Sequence, residues 1–224
     1  MSESEGKKIS RRTFIGLGVA GAAALALGGR ELFQALSHRG AAGTTGAAPA
    51  GVFSIKDFTI QRVTDDPAYK PDQWRLSVTG MVNQELSLSL DKFLALPQTQ
   101  EVQEFQCVEG WKVHSCPWEG VTVREIMSRA DIKPQAKYIV FWSDDGVYSD
   151  TLTVEQALKP EVMLVHKLDG QELAPGQGWP VRLVMPGNFG YKYVKWVGRV
   201  VVTDQPHVGY WEKFGYAEDA TIPG

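Results

Sequence analysis

Polar and apolar residues alternate along much of the chain beyond residue 52, and that alternation predicts strands. Trp74-Arg75-Leu76-Ser77-Val78-Thr79-Gly80 repeats with period two, the signature of a half-buried strand, and Leu86, Leu88 and Leu90 continue it. A short helix over residues 91–96 follows, stopped by Pro97. Thr122-Val123-Arg124-Glu125 has the spacing of a capping box and opens a helix running to about Ala130; Thr153-Val154-Glu155-Gln156 repeats the device before Pro160. Tyr138–Trp142 is a continuous apolar run of strand length. Val162–Lys167 and Gln171–Leu173 flank Asp169-Gly170, the composition of a tight hairpin turn. Val181–Met185 and Val194–Thr203 are the last predicted strands. Short strands outnumber helices and no train of strand-helix units appears, so the class is α+β rather than a doubly wound parallel sheet.

The first fifty residues do not share this pattern. Lys7, Lys8, Arg11 and Arg12 precede an apolar, Gly- and Ala-rich run from Phe14 to Leu27, which is short for a membrane span and suits a signal segment. Ser10-Arg11-Arg12-Thr13-Phe14-Ile15 matches a twin-arginine export signal. A Gly/Ala/Thr linker follows, with Ala48-Pro49-Ala50 as a candidate cleavage site. The organisation expected is therefore a signal and linker over 1–50 and one domain over 51–224, delivered to the periplasm by the twin-arginine machinery, or tethered to the membrane if the signal stays uncut. Carriage of a folded protein points to a cofactor inserted before export.

Charge sharpens the reading. Residues 51–224 carry 17 Lys and Arg against 23 Asp and Glu, which argues against nucleic acid as a partner.

Two stretches carry candidate chemistry. Phe105-Gln106-Cys107-Val108-Glu109-Gly110-Trp111, followed by Trp118-Glu119-Gly120-Val121, places a cysteine after a strand-like approach, where a thiolate could ligate a soft metal. The residues alone leave Cys107 open between metal ligand, inert buried thiol and disulfide partner of Cys116, the only other cysteine. Gly176-Gln177-Gly178-Trp179-Pro180 and Pro186-Gly187-Asn188-Phe189-Gly190 are glycine-rich loops with Arg182, Lys192 and Lys195 around them, the composition of an anion cradle. Solvated lysines on ordinary turns give the same pattern. A non-enzymatic anion-binding domain and a disulfide-stabilised structural domain therefore stay open.

Taken together, the cysteine segment resembles the molybdenum-binding segment of the sulfite oxidase family of molybdopterin oxidoreductases. Gly178-Trp179-Pro180-Val181-Arg182-Leu183-Val184-Met185-Pro186 is similar to that family's cofactor-binding strand, and Gly190-Tyr191-Lys192-Tyr193-Val194-Lys195-Trp196 to the loop that follows. The likeness spans about residues 52–216, and implies the sulfite-oxidase-type fold of mixed sheets with short helices. It implies that Cys107 ligates molybdenum, which would leave Cys116 unpaired. It implies that Arg182 and Lys195 hold the pterin phosphate, with Lys192, Tyr193 and Val194 also in the cofactor loop. Gln177 stands where the family has His or Asn, Ser143 near a family Thr that contacts the pterin, and Tyr148 near a tyrosine of the substrate pocket. The activity implied is two-electron oxygen-atom transfer on a sulfite- or sulfoxide-type small molecule. The electrons would pass to or from a separate cytochrome or quinone-linked membrane protein. The Asn and Tyr that contact the pterin in the methionine sulfoxide reductase branch have no match around residues 65–69, and no c-type haem motif occurs.

Overall fold

The computed structural model describes residues 52–53, 61–67, 70 and 72–223, within a compact unit Ala50–Gly224. The twin-arginine segment and the cleavage site lie outside the described residues. Two sheets and a few short helices make up the domain, as the alternation predicts. The first sheet is ordered β1 (Val52–Phe53), β5 (Lys112–Thr122), β8 (Met163–Leu168), β10 (Arg182–Val184); β4 (Thr99–Gln106) also pairs with β5, and β9 (Gln171–Glu172) with β8. The second runs β3 (Leu86–Ser89), β2 (Arg75–Gly80), β11 (Val197–Thr203), β6 (Tyr138–Ser143), β7 (Ser149–Thr153). Among the described strands, β1 with β5 and β2 with β11 are the parallel pairs.

Alternation becomes burial directly. Leu76 and Val78 of β2, Ile139 and Phe141 of β6, and Val200 and Val202 of β11 point into one core, with Trp74 donating Nε1–H to the Val197 carbonyl at 3.1 Å. In β5 and β8 the core residues are Val113, Trp118, Val121, Met163, Leu164 and Val165. Helix α1 (Leu90–Leu94) begins one residue earlier and ends two earlier than expected. Ser89 Oγ caps it by accepting from Lys92 N–H at 3.3 Å, and the Gln98 side chain takes the carbonyls of Leu94 and Leu96 at its end, at 3.2 and 2.8 Å. Helix α2 (Val123–Ala130) is capped by Thr122, and α3 (Val154–Ala157) carries the full reciprocal box of Thr153 and Gln156. Asp169 and Gly170 both have positive φ, 52° and 70°, as the tight β8–β9 hairpin requires.

Two differences matter for the site. The last strand begins at Val197 rather than Val194, because Trp196 has φ 54° and turns the chain, freeing 190–196 to form a loop. β5 is eleven residues long and was hidden by its polar first half and Pro117. Among the described residues no helix is long and apolar enough to cross a membrane.

Candidate active site

Cys107 is the first residue beyond β4, the strand end its sequence predicts. Its N–H donates to the Trp111 carbonyl at 2.8 Å and its own carbonyl accepts from Gly110 N–H at 3.1 Å, so a tight turn fixes the sulfur. The thiol is nearly buried, and burial pushes its pKa up to about 12, with the Glu109 charge adding to the rise. Glu109 Oε2 lies 3.9 Å from Cys107 Sγ and accepts from Trp111 Nε1–H at 3.2 Å and Gln61 Nε2–H at 3.1 Å. Both cysteines are free, which sets aside the Cys107–Cys116 disulfide. Cys116 lies in β5, fully buried, its thiol also pushed up to about 11 by burial.

The second cluster lies around the start of β10. The Arg182 guanidinium is buried against the Trp118 ring at 5.5 Å and the Tyr193 ring at 6.0 Å, and its Nη1–H donates to the Gln177 carbonyl at 2.9 Å. Its Nε and the Tyr193 hydroxyl are buried with no hydrogen-bond partner. Lys195 donates to the carbonyls of Gln61 and Gly176 at 2.6 and 2.9 Å. Burial and the Arg182 charge bring its pKa down to about 7; Arg182 itself is held down to about 10 by burial. No carboxylate pairs with either cation among the described residues. Gly178, at φ +107°, has a backbone no other residue adopts without strain, and a Cβ there would press on Arg182 Cβ at 3.0 Å and Lys195 Cβ at 3.1 Å. Two cations, two orphaned donors and a glycine contact fit an anionic group with hydrogen-bond acceptors, as a pterin phosphate has. Phe105 joins the clusters, its ring 5.5 Å from Trp111 and 5.3 Å from Tyr193.

Other expected residues take different places. Lys192 does not join the cradle: its buried ammonium contacts Asp150 Oδ1 at 2.5 Å and Glu212 Oε1 at 2.8 Å. Two carboxylates already neutralise it, so no charge is left for a phosphate. The Gln177 side chain accepts from Ala174 N–H at 2.9 Å and closes its own turn, leaving its carbonyl for Arg182. The Ser143 hydroxyl donates to Asp145 and accepts from Tyr148 N–H at 2.9 Å, stabilising the β6–β7 turn. Val194 acts through its backbone, its carbonyl taking Leu183 N–H at 2.8 Å and holding the loop on β10. Tyr148 donates its hydroxyl to the Tyr191 carbonyl at 2.5 Å and stacks on Tyr210 at 5.2 Å.

Four residues, Glu109, Tyr216, Tyr191 and Trp211, were given no role in the sequence expectations. Glu109 was visible in the motif, but its aim at the sulfur depends on the turn. Tyr216 has its hydroxyl pKa raised chiefly by burial, with the charges of Cys107 and Glu109 adding to the rise. Tyr191 packs edge-on against Tyr216 at 5.1 Å, and Trp211 lies 5.1 Å from Tyr216 on another side. Tyrosines at the end of a strand-poor tail give no signal of this kind. Among the described residues no three His, Cys, Asp or Glu side chains converge, so a metal at Cys107 draws its other ligands from outside the polypeptide, as a dithiolene cofactor supplies them.

The comparisons agree with this chemistry. Residues 63–211, more than half the chain, match the family model described as the oxidoreductase molybdopterin binding domain. The chain is 28% identical over 173 residues to an uncharacterized oxidoreductase, YuiH, of Bacillus subtilis (strain 168), covering 77% of this chain and 87% of that one. It is 35% identical over 154 residues to a putative protein-methionine-sulfoxide reductase subunit, YedZ1, of Azospira oryzae, covering 68% and 58%. To the protein-methionine-sulfoxide reductase catalytic subunit MsrP of Campylobacter jejuni it is 25% identical over 166 residues, covering 67% and 56%. The chain thus spans little more than half the length of these last two relatives. The sulfane dehydrogenase SoxCD from Paracoccus pantotrophus superposes with a TM-score of 0.58 at 22% identity, over 62% of this chain and 40% of that one, a likeness of fold. With residues 63–211 matched by that family model, the chain belongs to the molybdopterin-binding oxidoreductase family and is a molybdopterin-dependent enzyme.

Proposed function

We propose that the chain reduces a neutral sulfoxide-type substrate rather than oxidising sulfite. The observation that carries this is the surroundings of the thiol. A carboxylate, Glu109, lies 3.9 Å from Cys107 Sγ, and Tyr216, which feels the charges of both groups, is packed by the rings of Tyr191 and Trp211, each at 5.1 Å. A carboxylate repels sulfite, which is an anion, but not an uncharged sulfoxide, whose apolar substituents suit aromatic walls. The relatives named as methionine sulfoxide reductase subunits support the same direction.

When bound, the molybdenum cofactor supplies two-electron oxygen-atom transfer. The polypeptide supplies the rest. Cys107 would hold the metal as a thiolate, from a turn closed by the Cys107–Trp111 and Gly110–Cys107 backbone hydrogen bonds. Arg182 and Lys195 grip the phosphate; Tyr193 offers its unpartnered hydroxyl, and Gln177 orients Arg182 through its carbonyl. Ser143 keeps the β6–β7 turn in shape, and Tyr148 braces the Tyr191 backbone. Reduction of a sulfoxide consumes two electrons and two protons and releases a sulfide and water. Glu109 Oε2 is the carboxylate beside the thiol, held there by the hydrogen bonds it accepts from Trp111 and Gln61. The electrons come from a separate cytochrome or a quinone-linked membrane protein, and the paired Arg11-Arg12 sends the loaded protein to the periplasm, tethered there if the signal stays uncut.

The test is steady-state turnover of purified, molybdenum-loaded protein in both directions. Methionine sulfoxide reduction with a dye donor should exceed sulfite oxidation with a dye acceptor by at least tenfold in kcat/KM. Cys107→Ser should abolish turnover while keeping the far-UV spectrum of the folded domain. Sulfite oxidation as fast as sulfoxide reduction would reverse the assignment of direction. Full turnover in Cys107→Ser would remove the cysteine from the metal.

A further inference from the structure

Lys192 was expected at the cofactor, and what it does instead has a consequence for the mouth of the site. Its ammonium lies between Asp150 of β7 and Glu212 of the C-terminal strap, residues 207–222, and all three side chains are at most 3% exposed. The strap is fastened to the body on both sides of Glu212. Before it, Tyr210 N–H donates to the Ser149 carbonyl at 2.8 Å and Thr151 Oγ1 to the His207 carbonyl at 2.9 Å. After it, the Ala217 carbonyl accepts from the Tyr191 hydroxyl at 2.8 Å and the Asp219 carbonyl from Asn188 Nδ2 at 2.6 Å. Between these fastenings lie Trp211 and Tyr216, their rings 5.1 Å apart and Tyr216 within electrostatic reach of Cys107, and Glu212 is the buried ion-paired side chain of the segment.

The cluster does not balance as drawn. Two carboxylates face one ammonium, and Asp150 Oδ2 and Glu212 Oε2 are both buried without a hydrogen-bond partner. Both groups flank Gly209, where a Cβ would overlap Glu212 Oε2 and come within 3.1 Å of Asp150 Cγ. A buried surplus charge and two orphaned acceptors are resolved by one added proton, which removes the charge and supplies a donor.

We propose that Asp150, Lys192 and Glu212 form a proton-holding latch: with one proton on the carboxylate pair it keeps residues 211–216 down over the site, and without it the segment lifts. The latch rests on the proposed function only in that the mouth it covers is the substrate entrance. Asp150 is pushed up to about 7 chiefly by burial, with Lys192 opposing and Glu212 adding to the rise. The other titratable groups facing the cluster are Tyr148 and Tyr191, both shifted upward by burial and so neutral across this range. His207, shifted downward by burial, and Lys213 sit on the strap near Glu212, and Asp219 lies near Lys192. For a carboxyl whose closed-state pKa is raised, closure is favoured below its ordinary pKa and that advantage is lost as pH rises to the closed-state value, after which it is flat. The loss therefore falls between about pH 4 and about 7, with loosening of roughly tenfold per pH unit.

Hydrogen exchange of the loaded protein reads this without turnover. Protection of a peptide spanning 210–217, corrected for intrinsic rates, should fall about a hundredfold from pH 5 to 7 and level off above. Asp150→Asn and Glu212→Gln each leave one carboxylate against Lys192, so protection in either should be nearly constant from pH 5 to 8. His207→Gln, which removes the strap's imidazole, should keep the wild-type slope. A flat wild-type profile overturns the latch, as does a wild-type slope in whichever of the two neutralised variants folds, or loss of the slope in His207→Gln. Sulfoxide turnover is measured separately, so a failed latch in an active enzyme, and a working latch in an inactive one, are told apart.

Discussion

A guanidinium buried without a carboxylate destabilises the cofactor-free fold, and Arg182 is placed that way. Replacing such a charge with an apolar side chain of similar length typically stabilises by about 1–3 kcal/mol. Arg182→Met should therefore raise the urea midpoint of the metal-free protein while lowering the molybdenum content of the purified enzyme. Loss of a charge-assisted pair to phosphate, on the order of 1.5–3 kcal/mol, weakens retention roughly ten- to a hundredfold. A metal-free protein made less stable, or full metal occupancy, would contradict that role. The places of Cys107 at a strand end and of Arg182 at the start of a strand were legible in the sequence because each sits beside a clear apolar run. Lys192 was not, since its partners lie 42 and 20 residues away and nothing near Gly190-Tyr191-Lys192 announces them.

At the scale of the element, Trp118-Glu119-Gly120-Val121 looked in the sequence like part of the metal segment, and the structure gives its glycine a packing reason. Gly120 lies in β5 at the bulge where β8 crosses closest, and a Cβ there would overlap the Leu164 carbonyl and approach Val165 Cα to 2.5 Å. Both are backbone atoms, so relief requires the strands to part. Gly120→Ala should cost about 1–3 kcal/mol, read as a lower urea midpoint, and should loosen the sheet that carries both Cys107 and Arg182. An unchanged midpoint would show that the bulge absorbs a methyl group. The strands with regular alternation were legible in advance, as were the capped helices and the Asp-Gly hairpin. β5 was not, because its buried positions are interrupted by Pro117 and its first half alternates with His114 and Ser115 at exposed sites. The loop 190–196 was read partly as strand because the turn at Trp196 comes from a positive φ at a residue that rarely adopts one.

For the molecule as a whole, the cysteine and the cradle are joined through one sheet by β4, β5, β8 and β10, so both halves of the proposed cofactor grip exist only once that sheet has formed. A site of that kind must be loaded in a folded protein, in keeping with the proposed twin-arginine signal. Replacing Arg11 and Arg12 with Lys should leave metal-loaded enzyme in the cytoplasmic fraction; normal periplasmic delivery would remove the twin-arginine reading.

The strap has one more consequence, for how copies of the chain behave together. β7 is the last strand of its sheet, and its free side is covered where Tyr210 and His207 take up the Ser149 carbonyl and the Thr151 hydroxyl. An uncovered edge strand presents unpaired backbone groups that another chain can extend. The C-terminal strap therefore also guards against strand-to-strand aggregation, and a chain that loses it is exposed to self-association while its core is still folded.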